Sequence, residues 1–232
     1  MTGLAVRISV IIPAAGSGSR MGSDIPKPFL QMGGLSILSH TLRCFDMPRQ
    51  ISEIVLPVST GSRDLAEHAV AAASLQVPVR YVEGGDERMY SIWNALQITD
   101  KTADLIAVHD AVRPFVSTDL WQRLVDQALR GGAAIPGLPV TDTIKITDNN
   151  NRVVHTPPRE TLRSVQTPQV FAREILWKAY QHAMKEGSFG TDDASLVEQI
   201  NVPVMLVQGE KENFKITYPA DIRRAEEQLN NR

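Results

Sequence analysis

Short runs of apolar, mostly β-branched residues alternate along the chain with longer stretches in which apolar positions recur every three to four residues. The runs occupy residues 7–13, 53–58, 77–82 and 104–109, and between them lie residues 36–45, 62–75, 87–96 and 117–130. The first set reads as strands and the second as amphipathic helices. Several of the helical stretches open at a serine (Ser36, Ser62, Ser117), whose hydroxyl can accept from the orphan amides of a first turn. Strands alternating with crossover helices predict a parallel sheet in an α/β fold.

After residues 133–135 the rhythm changes. TDTIKIT and RVVHT are β-rich, the DNNN between them is a turn signal, and little around them can form a core. The expectation is a hairpin arm, roughly residues 137–162, projecting from a single domain that spans 1–232. Helical patterns return at 172–185 and 191–199, a strand at 202–207, and a last helix after Pro219, a residue suited to a first turn.

Composition narrows the function. With 43% hydrophobic and 22% charged residues the chain has the profile of one globular domain. Lys and Arg number 24 against 26 Asp and Glu, a net charge of −2, so there is no overall basic field for nucleic acid and any anion must be held locally. The single cysteine, Cys44, excludes an internal disulfide or a multi-cysteine metal site and suits a reducing, cytoplasmic setting. No apolar run approaches the roughly 20 residues of a spanning helix, so neither membrane span nor anchor is expected.

The most informative stretch follows the first strand: Ala14, Ala15, Gly16, Ser17, Gly18, Ser19, Arg20, Met21 and Gly22, then Pro26, Lys27 and Pro28. Small residues let backbone amides close on an anion, and Arg20 and Lys27 bring mobile cations to the same place. Gly16, Gly18 and Gly22 give G-x-G-x-x-x-G, one residue too long for the dinucleotide fingerprint, and no acid follows at the ribose-binding distance. No Gly-Lys pair stands where a Walker loop needs one. What remains, A-A-G-x-G-x-R-M-G followed by P-K, resembles nucleotidyltransferases that join a nucleoside monophosphate to a sugar phosphate. A tight strand-to-helix turn with two solvated cations is the plainer alternative.

Three further constellations carry chemistry. Gly84-Gly85-Asp86 before a helix start, with Ser91 nearby, exposes backbone groups that can read a base edge; an Asp-capped helix explains the same residues. Asp110 ends a hydrophobic strand, the edge where ligands of open parallel sheets gather, and a carboxylate there suits Mg²⁺ shared with phosphate oxygens. Arg113 could grip a second phosphate, or simply pair with Asp110. Farther along stand PPRETL, QTPQ, GTDDAS and NFKIT, where Thr191 could be only a helix cap and Lys215 only a solvated strand charge. The five histidines show no metal-ligand spacing, with only His109 notable for adjoining Asp110, and no G-x-S-x-G elbow supports a nucleophile.

The order PAAGSGSRMG, PKPF, GGDERMYS, VHDAVRPF, QTPQVF, TDDAS and NFKIT resembles the 2-C-methyl-D-erythritol 4-phosphate cytidylyltransferase family of the non-mevalonate isoprenoid pathway, from the first strand to the end of the chain. The resemblance implies a Rossmann-like three-layer α/β sandwich, its sheet mostly parallel, with a β-arm that interlocks a homodimer. It implies transfer of CMP from CTP to methylerythritol phosphate, with Mg²⁺ as cofactor and pyrophosphate as product. Carried over by motif, Ala14, Ala15, Gly16, Gly18, Ser19, Arg20 and Lys27 hold the triphosphate, and Gly85, Asp86 and Ser91 hold the cytidine. Asp110 serves the metal. Arg113, Thr191 and Lys215 contact the acceptor, joined by Thr143 and Arg159 from the partner subunit's arm. Arg20, Lys27 and Lys215 are the residues expected to act on the reacting groups. One departure is Ser19, where family members often carry a second basic residue. The rival readings are a ribitol 5-phosphate cytidylyltransferase, with similar loops, and a nucleotide-sensing domain of the same fold without catalysis, in which loss of Lys27 or Asp110 would be expected.

Overall fold

The computed structural model describes residues 6–16, 25–46 and 50–230. Gly18, Ser19 and Arg20 lie outside the described residues. Strands β1 (Ile8–Ile11), β4 (Ile51–Val58), β5 (Val79–Glu83) and β6 (Leu105–Val108) form the parallel half of an eight-stranded sheet, in the order β5-β4-β1-β6. A two-stranded turn, β2 (Gln31–Met32) and β3 (Leu35–Ser36), leads from β1 into α1 (Ile37–Arg43). Helices α2 (Arg63–Ala73), α3 (Arg88–Ile98) and α4 (Thr118–Gly131) follow β4, β5 and β6. The second half holds β7 (Ala133–Pro139), the hairpin β8 (Ile146–Thr147) and β9 (Val153–His155), then β10 (Arg163–Val165), β11 (Gln169–Ala172), α5 (Arg173–Glu186), α6 (Asp193–Gln199), β12 (Met205–Gln208) and α7 (Pro219–Asn230).

Every residue of β1 is buried, as expected of a strand covered on both faces. Alternation along it sends Ile8, Val10 and Ile12 into one apolar cluster and Ile11 into another. Helices α1, α2 and α4 complete the first cluster through Leu38, Leu42, Ala66, Leu120 and Leu124. Helices α3, α5 and α6 complete the second through Ile92, Leu96, Leu176, Ala179 and Leu196. The result is the expected three-layer α/β sandwich. Ser36 and Ser117 cap α1 and α4, accepting from the amides of Ser39 and Leu120. Ser62 makes no cap hydrogen bond, because its hydroxyl is engaged with Ser59 Oγ at 3.0 Å.

The sheet is mixed rather than uniformly parallel. Strand β11 lies between β6 and β7 and runs antiparallel to both, while β10 pairs antiparallel with the far end of β7. The chain reaches these strands from the arm and not through a crossover helix, so nothing forces them parallel. Neither was anticipated from the sequence, since RSV and QVFA are too short to show a period. Strand β12 runs parallel along the other edge of β7. The hairpin is present but shorter than its β-rich sequence suggested, with Asn151 at φ 60° in its turn. No helix among the described residues is long and apolar enough to cross a membrane.

Candidate active site

In the order β5-β4-β1-β6 the strand sequence reverses direction between β1 and β6, and a crevice opens beyond their carboxyl ends. A cleft of about 510 Å³ occupies that place. Its walls are Pro13 to Gly16 after β1, Lys27 and Pro28, Gly85 to Arg88 with Ser91, Asp110 to Val112 after β6, and Lys215. Two of these loops hang from β4: the amide of Ala14 donates to Pro57 O at 2.8 Å and that of Gly84 to Val58 O at 2.9 Å. A Cβ on Gly84 would stand 2.3 Å from that of Ala15, so glycine is what allows the loops to touch.

The side of the cleft formed by the β5–α3 loop is shaped from within. The Gly85 amide donates to Ser91 Oγ at 3.0 Å, and that hydroxyl also lies within hydrogen-bond reach of the carbonyls of Gly85 and Glu87. Ser91 therefore sets the loop's curvature, leaving backbone edges and Asp86 facing the cleft. The plainer reading of Asp86 as a helix cap does not hold, because the N-cap of α3 is Glu87 and makes no side-chain cap bond. Lys27 is not a solvated charge either. It is buried at the start of a 3-10 turn, Lys27–Phe29, with Nζ donating to Thr217 O at 3.2 Å.

Asp110 is the electrostatic centre. Lys215 Nζ lies 3.0 Å from its Oδ2, Arg113 Nε 3.3 Å from the same oxygen, and Arg88 Nε 3.8 Å from Oδ1. Burial opposes its ionisation, but Lys215, Arg88 and Arg113 together outweigh burial and hold its carboxyl well below the usual carboxylate range. Its backbone is fixed too. The Asp110 amide donates to Thr167 Oγ1, so the Thr167 hydroxyl proton points to His109 Nδ1 at 3.0 Å, and His109 Nε2–H donates to Arg113 O at 2.9 Å. This chain specifies the neutral Nε2–H tautomer of a fully buried imidazole, and burial pushes its pKa down to about 4. His109 thus supports the turn that presents Asp110.

A cleft at this switch point is in keeping with what sequence comparison finds. The family model for 2-C-methyl-D-erythritol 4-phosphate cytidylyltransferase matches residues 8–231. The chain belongs to this cytidylyltransferase family. It is 42% identical to the 2-C-methyl-D-erythritol 4-phosphate cytidylyltransferase of Symbiobacterium thermophilum over 224 residues, covering 97% of this chain and 93% of that protein. It is 37% identical to the protein of the same name from Caldanaerobacter subterraneus over 222 residues, covering 95% and 98%. The crystal structure of the Thermus thermophilus cytidylyltransferase superposes with a TM-score of 0.79 at 36% identity, covering 97% of this chain and all of that one.

For a cytidylyltransferase the described residues assemble much of the expected set. Ala14, Ala15, Gly16, Lys27, Gly85, Asp86, Ser91, Asp110 and Lys215 all line the one cleft. Arg113 stands behind Asp110, with Nη1 donating to Asn213 O at 3.0 Å, so its ion pair with Asp110 is real. Thr191 lines an adjoining cavity of about 200 Å³ that shares Glu87 and Arg88 with the cleft. It is not the helix cap: Asp192 takes that position, accepting from the Ser195 amide at 2.9 Å in a capping box. Lys215 lies in a loop rather than a strand, and its ammonium is spoken for by Asp110. Thr143 and Arg159 are exposed at the base of the arm, away from the cleft lining, with Arg159 Nη1 donating to Thr141 O at 2.9 Å. Sequence reasoning assigned no role to Arg88 and Asp193, which pair at 2.7 Å, to Thr167, which accepts from the Asp110 amide, or to Gln169, whose Nε2 donates to Asp192 Oδ2 at 2.7 Å. Arg88 lay inside a motif already singled out, yet a charged residue in a first helical turn looks solvated until its buried partner is seen.

No group of three or more His, Cys, Asp or Glu among the described residues could hold a metal ion alone. Asp110, a single carboxylate just past the end of β6, fits a Mg²⁺ that arrives with a triphosphate and keeps waters and phosphate oxygens as its other ligands.

Proposed function

We propose that the 510 Å³ cleft is where this cytidylyltransferase passes CMP from CTP to 2-C-methyl-D-erythritol 4-phosphate, giving 4-diphosphocytidyl-2-C-methylerythritol and pyrophosphate. The observation that carries the assignment is the meeting of Asp110, Lys215 and Lys27 in one cleft beside the backbone of residues 13–16. The backbone after β1, with Arg20 and Lys27, takes the triphosphate; Gly85, Asp86 and Ser91 take the cytidine; Lys215, Arg113 and Thr191 take the acceptor phosphate.

An oxygen of the acceptor phosphate attacks the α-phosphorus in line, the new P–O bond forming as the bond to the bridging oxygen breaks and pyrophosphate leaves. A phosphate monoester is largely dianionic at neutral pH, its second pKa being about 6, so no residue need remove a proton. The obstacle is the meeting of two anions. Lys27 and Arg20 stabilise charge gathering on the transferring group, and Lys215 steers the acceptor toward it, so positioning and preorganised charge supply the catalysis. Asp110 is the residue that would hold a Mg²⁺ arriving with the triphosphate, and the ion would supply further neutralisation of charge on the leaving pyrophosphate.

The arm completes the site in a homodimer. Ile144, Ile146, Val153 and Val154 are 38%, 42%, 59% and 62% exposed on a two-stranded hairpin, an arrangement only marginally stable without a covering partner. A second copy supplies that cover and brings Thr143 and Arg159 to its neighbour's acceptor phosphate. The test is pyrophosphate release across four nucleotides, with methylerythritol phosphate or ribitol 5-phosphate as acceptor and with Mg²⁺ present or chelated. Release only with CTP, methylerythritol phosphate and Mg²⁺ is expected. Faster release with ribitol phosphate, or none with either acceptor, overturns the assignment.

A further inference from the structure

Among the described residues, Arg88 is the one charged side chain that walls both the cleft and the adjoining 200 Å³ cavity while pairing with a carboxylate on either side. It is the first residue of α3, immediately after the loop assigned to the cytidine. Its Nη2 donates to Asp193 Oδ2 at 2.7 Å, and its Nε lies 3.8 Å from Asp110. Asp193 is the first residue of α6, two positions after Thr191, and its carboxylate is completely buried. The other carboxylate oxygen accepts from the Tyr180 hydroxyl of α5 at 2.6 Å. One guanidinium therefore ties together three parts of the site that arrive from distant stretches of sequence: the nucleotide loop, the strand end carrying Asp110, and the loop carrying Thr191.

We propose that Arg88 is a positioning residue, a strut that sets the distance between the nucleotide and acceptor halves of the site and so aligns the acceptor oxygen with the α-phosphorus. This rests on the function proposed above. The planar fork matters more than the charge. A guanidinium can face two carboxylates at once, whereas an ammonium on that stem must choose one, and the buried Asp193 is the more demanding partner. A lysine at this position keeps Asp193 neutralised but lets the Asp110 side of the strut go. Misplacement of reacting groups by about 1 Å can cost on the order of 10²-fold in rate while leaving ground-state binding largely intact.

The experiment compares wild type, Arg88→Lys, Tyr180→Phe and the double variant by urea unfolding and by steady-state kinetics in both substrates. Arg88→Lys should unfold at a urea concentration close to wild type, lower kcat about 10- to 100-fold, and leave KM for CTP within about threefold. Tyr180→Phe, which loosens Asp193 without removing its cation, should lower kcat less, and the two effects should not add, since they act through one carboxylate. Wild-type kcat in Arg88→Lys overturns the strut, as does a loss that merely tracks the folded fraction or falls only on KM. Failure of wild type itself to release pyrophosphate would instead overturn the assigned reaction, so the two failures are told apart by the control.

Discussion

Protonation of His109 should be the acid weak point of the site, and its size can be worked out. The imidazole is fully buried between Thr167 Oγ1 and Arg113 O, with the Phe45 ring edge-on at 5.0 Å, and burial lowers its pKa from 6.5 to about 4. A base whose folded pKa is depressed is less protonated in the fold than in the unfolded chain between those two values. Stability is therefore fully present above about pH 6.5 and falls as pH drops toward 4. Going from pH 7 to pH 5, the linkage integral for this single shift is about 2 kcal/mol, reaching about 3 kcal/mol below pH 4. His40, half-buried and also lowered chiefly by burial, contributes in the same direction, so the wild-type slope alone does not isolate His109. The comparison is with His109→Gln, whose amide can accept from Thr167 and donate to the Arg113 carbonyl but cannot titrate. Urea unfolding of both proteins at pH 7 and pH 5 should show wild type losing about 2 kcal/mol more than the variant, although the variant starts less stable because a ring contact is gone. Losses equal to within about 0.5 kcal/mol would refute the reasoning, because they would mean the ring is as readily protonated in the fold as in water.

Three further outcomes are expected. Lys27→Ala should lower turnover by about 10²- to 10³-fold in the pyrophosphate-release assay, the loss typical of one preorganised donor, and wild-type turnover would remove Lys27 from its proposed role. Mixing inactive Arg159→Ala with inactive Lys27→Ala should restore up to about a quarter of wild-type activity, since half the dimers become hybrids and each hybrid holds one intact site; no recovery despite demonstrated subunit exchange rules out a shared site. Gly84→Ala puts a methyl 2.3 Å from Ala15 Cβ and must push the two nucleotide loops apart, so KM for CTP should rise about tenfold with a stability loss of about 1–3 kcal/mol, and an unchanged KM would show that the loops do not jointly hold the nucleotide.

What could be read in the sequence, and what could not, follows the range of the interactions involved. Strands β1, β4 and β6 and helices α1 to α4 were visible because each buries apolar residues in the core, and β5 because Val79 and Tyr81 alternate against it half-buried, and burial leaves a period. Asp110 was visible because a carboxylate at the end of an apolar strand has few innocent explanations. Strands β10 and β11 left no period, being three and four residues long, β10 held at the sheet edge by β7 and β11 held between β6 and β7. Arg88 was opaque for a related reason. Its partner Asp193 lies 105 residues away, and its local surroundings, Glu87 before it and Met89 and Tyr90 after, are those of any helix start. Thr191 shows the limit from the other side: its neighbourhood did signal a helix cap, but which of Thr191 and Asp192 would cap was decided by the reciprocal bond with Ser195.

The net charge of −2 and the demand for a strongly cationic site are reconciled inside the fold. Cations crowded near one point repel each other and destabilise a protein that has no ligand to offset them. Here Lys215 and Arg113 rest on Asp110, and Arg88 rests on Asp193, so the cleft by itself is close to compensated although it holds several basic groups. The two anions differ in depth. Asp193 is sealed and cannot be reached by substrate, whereas Asp110 lines the cleft, so an arriving cation-bearing triphosphate can engage Asp110 and leave Lys215 to a phosphate. The same carboxylate can thus store the positive charge in the free protein and surrender it in the complex, while the buried pair behind it keeps the geometry fixed during the exchange.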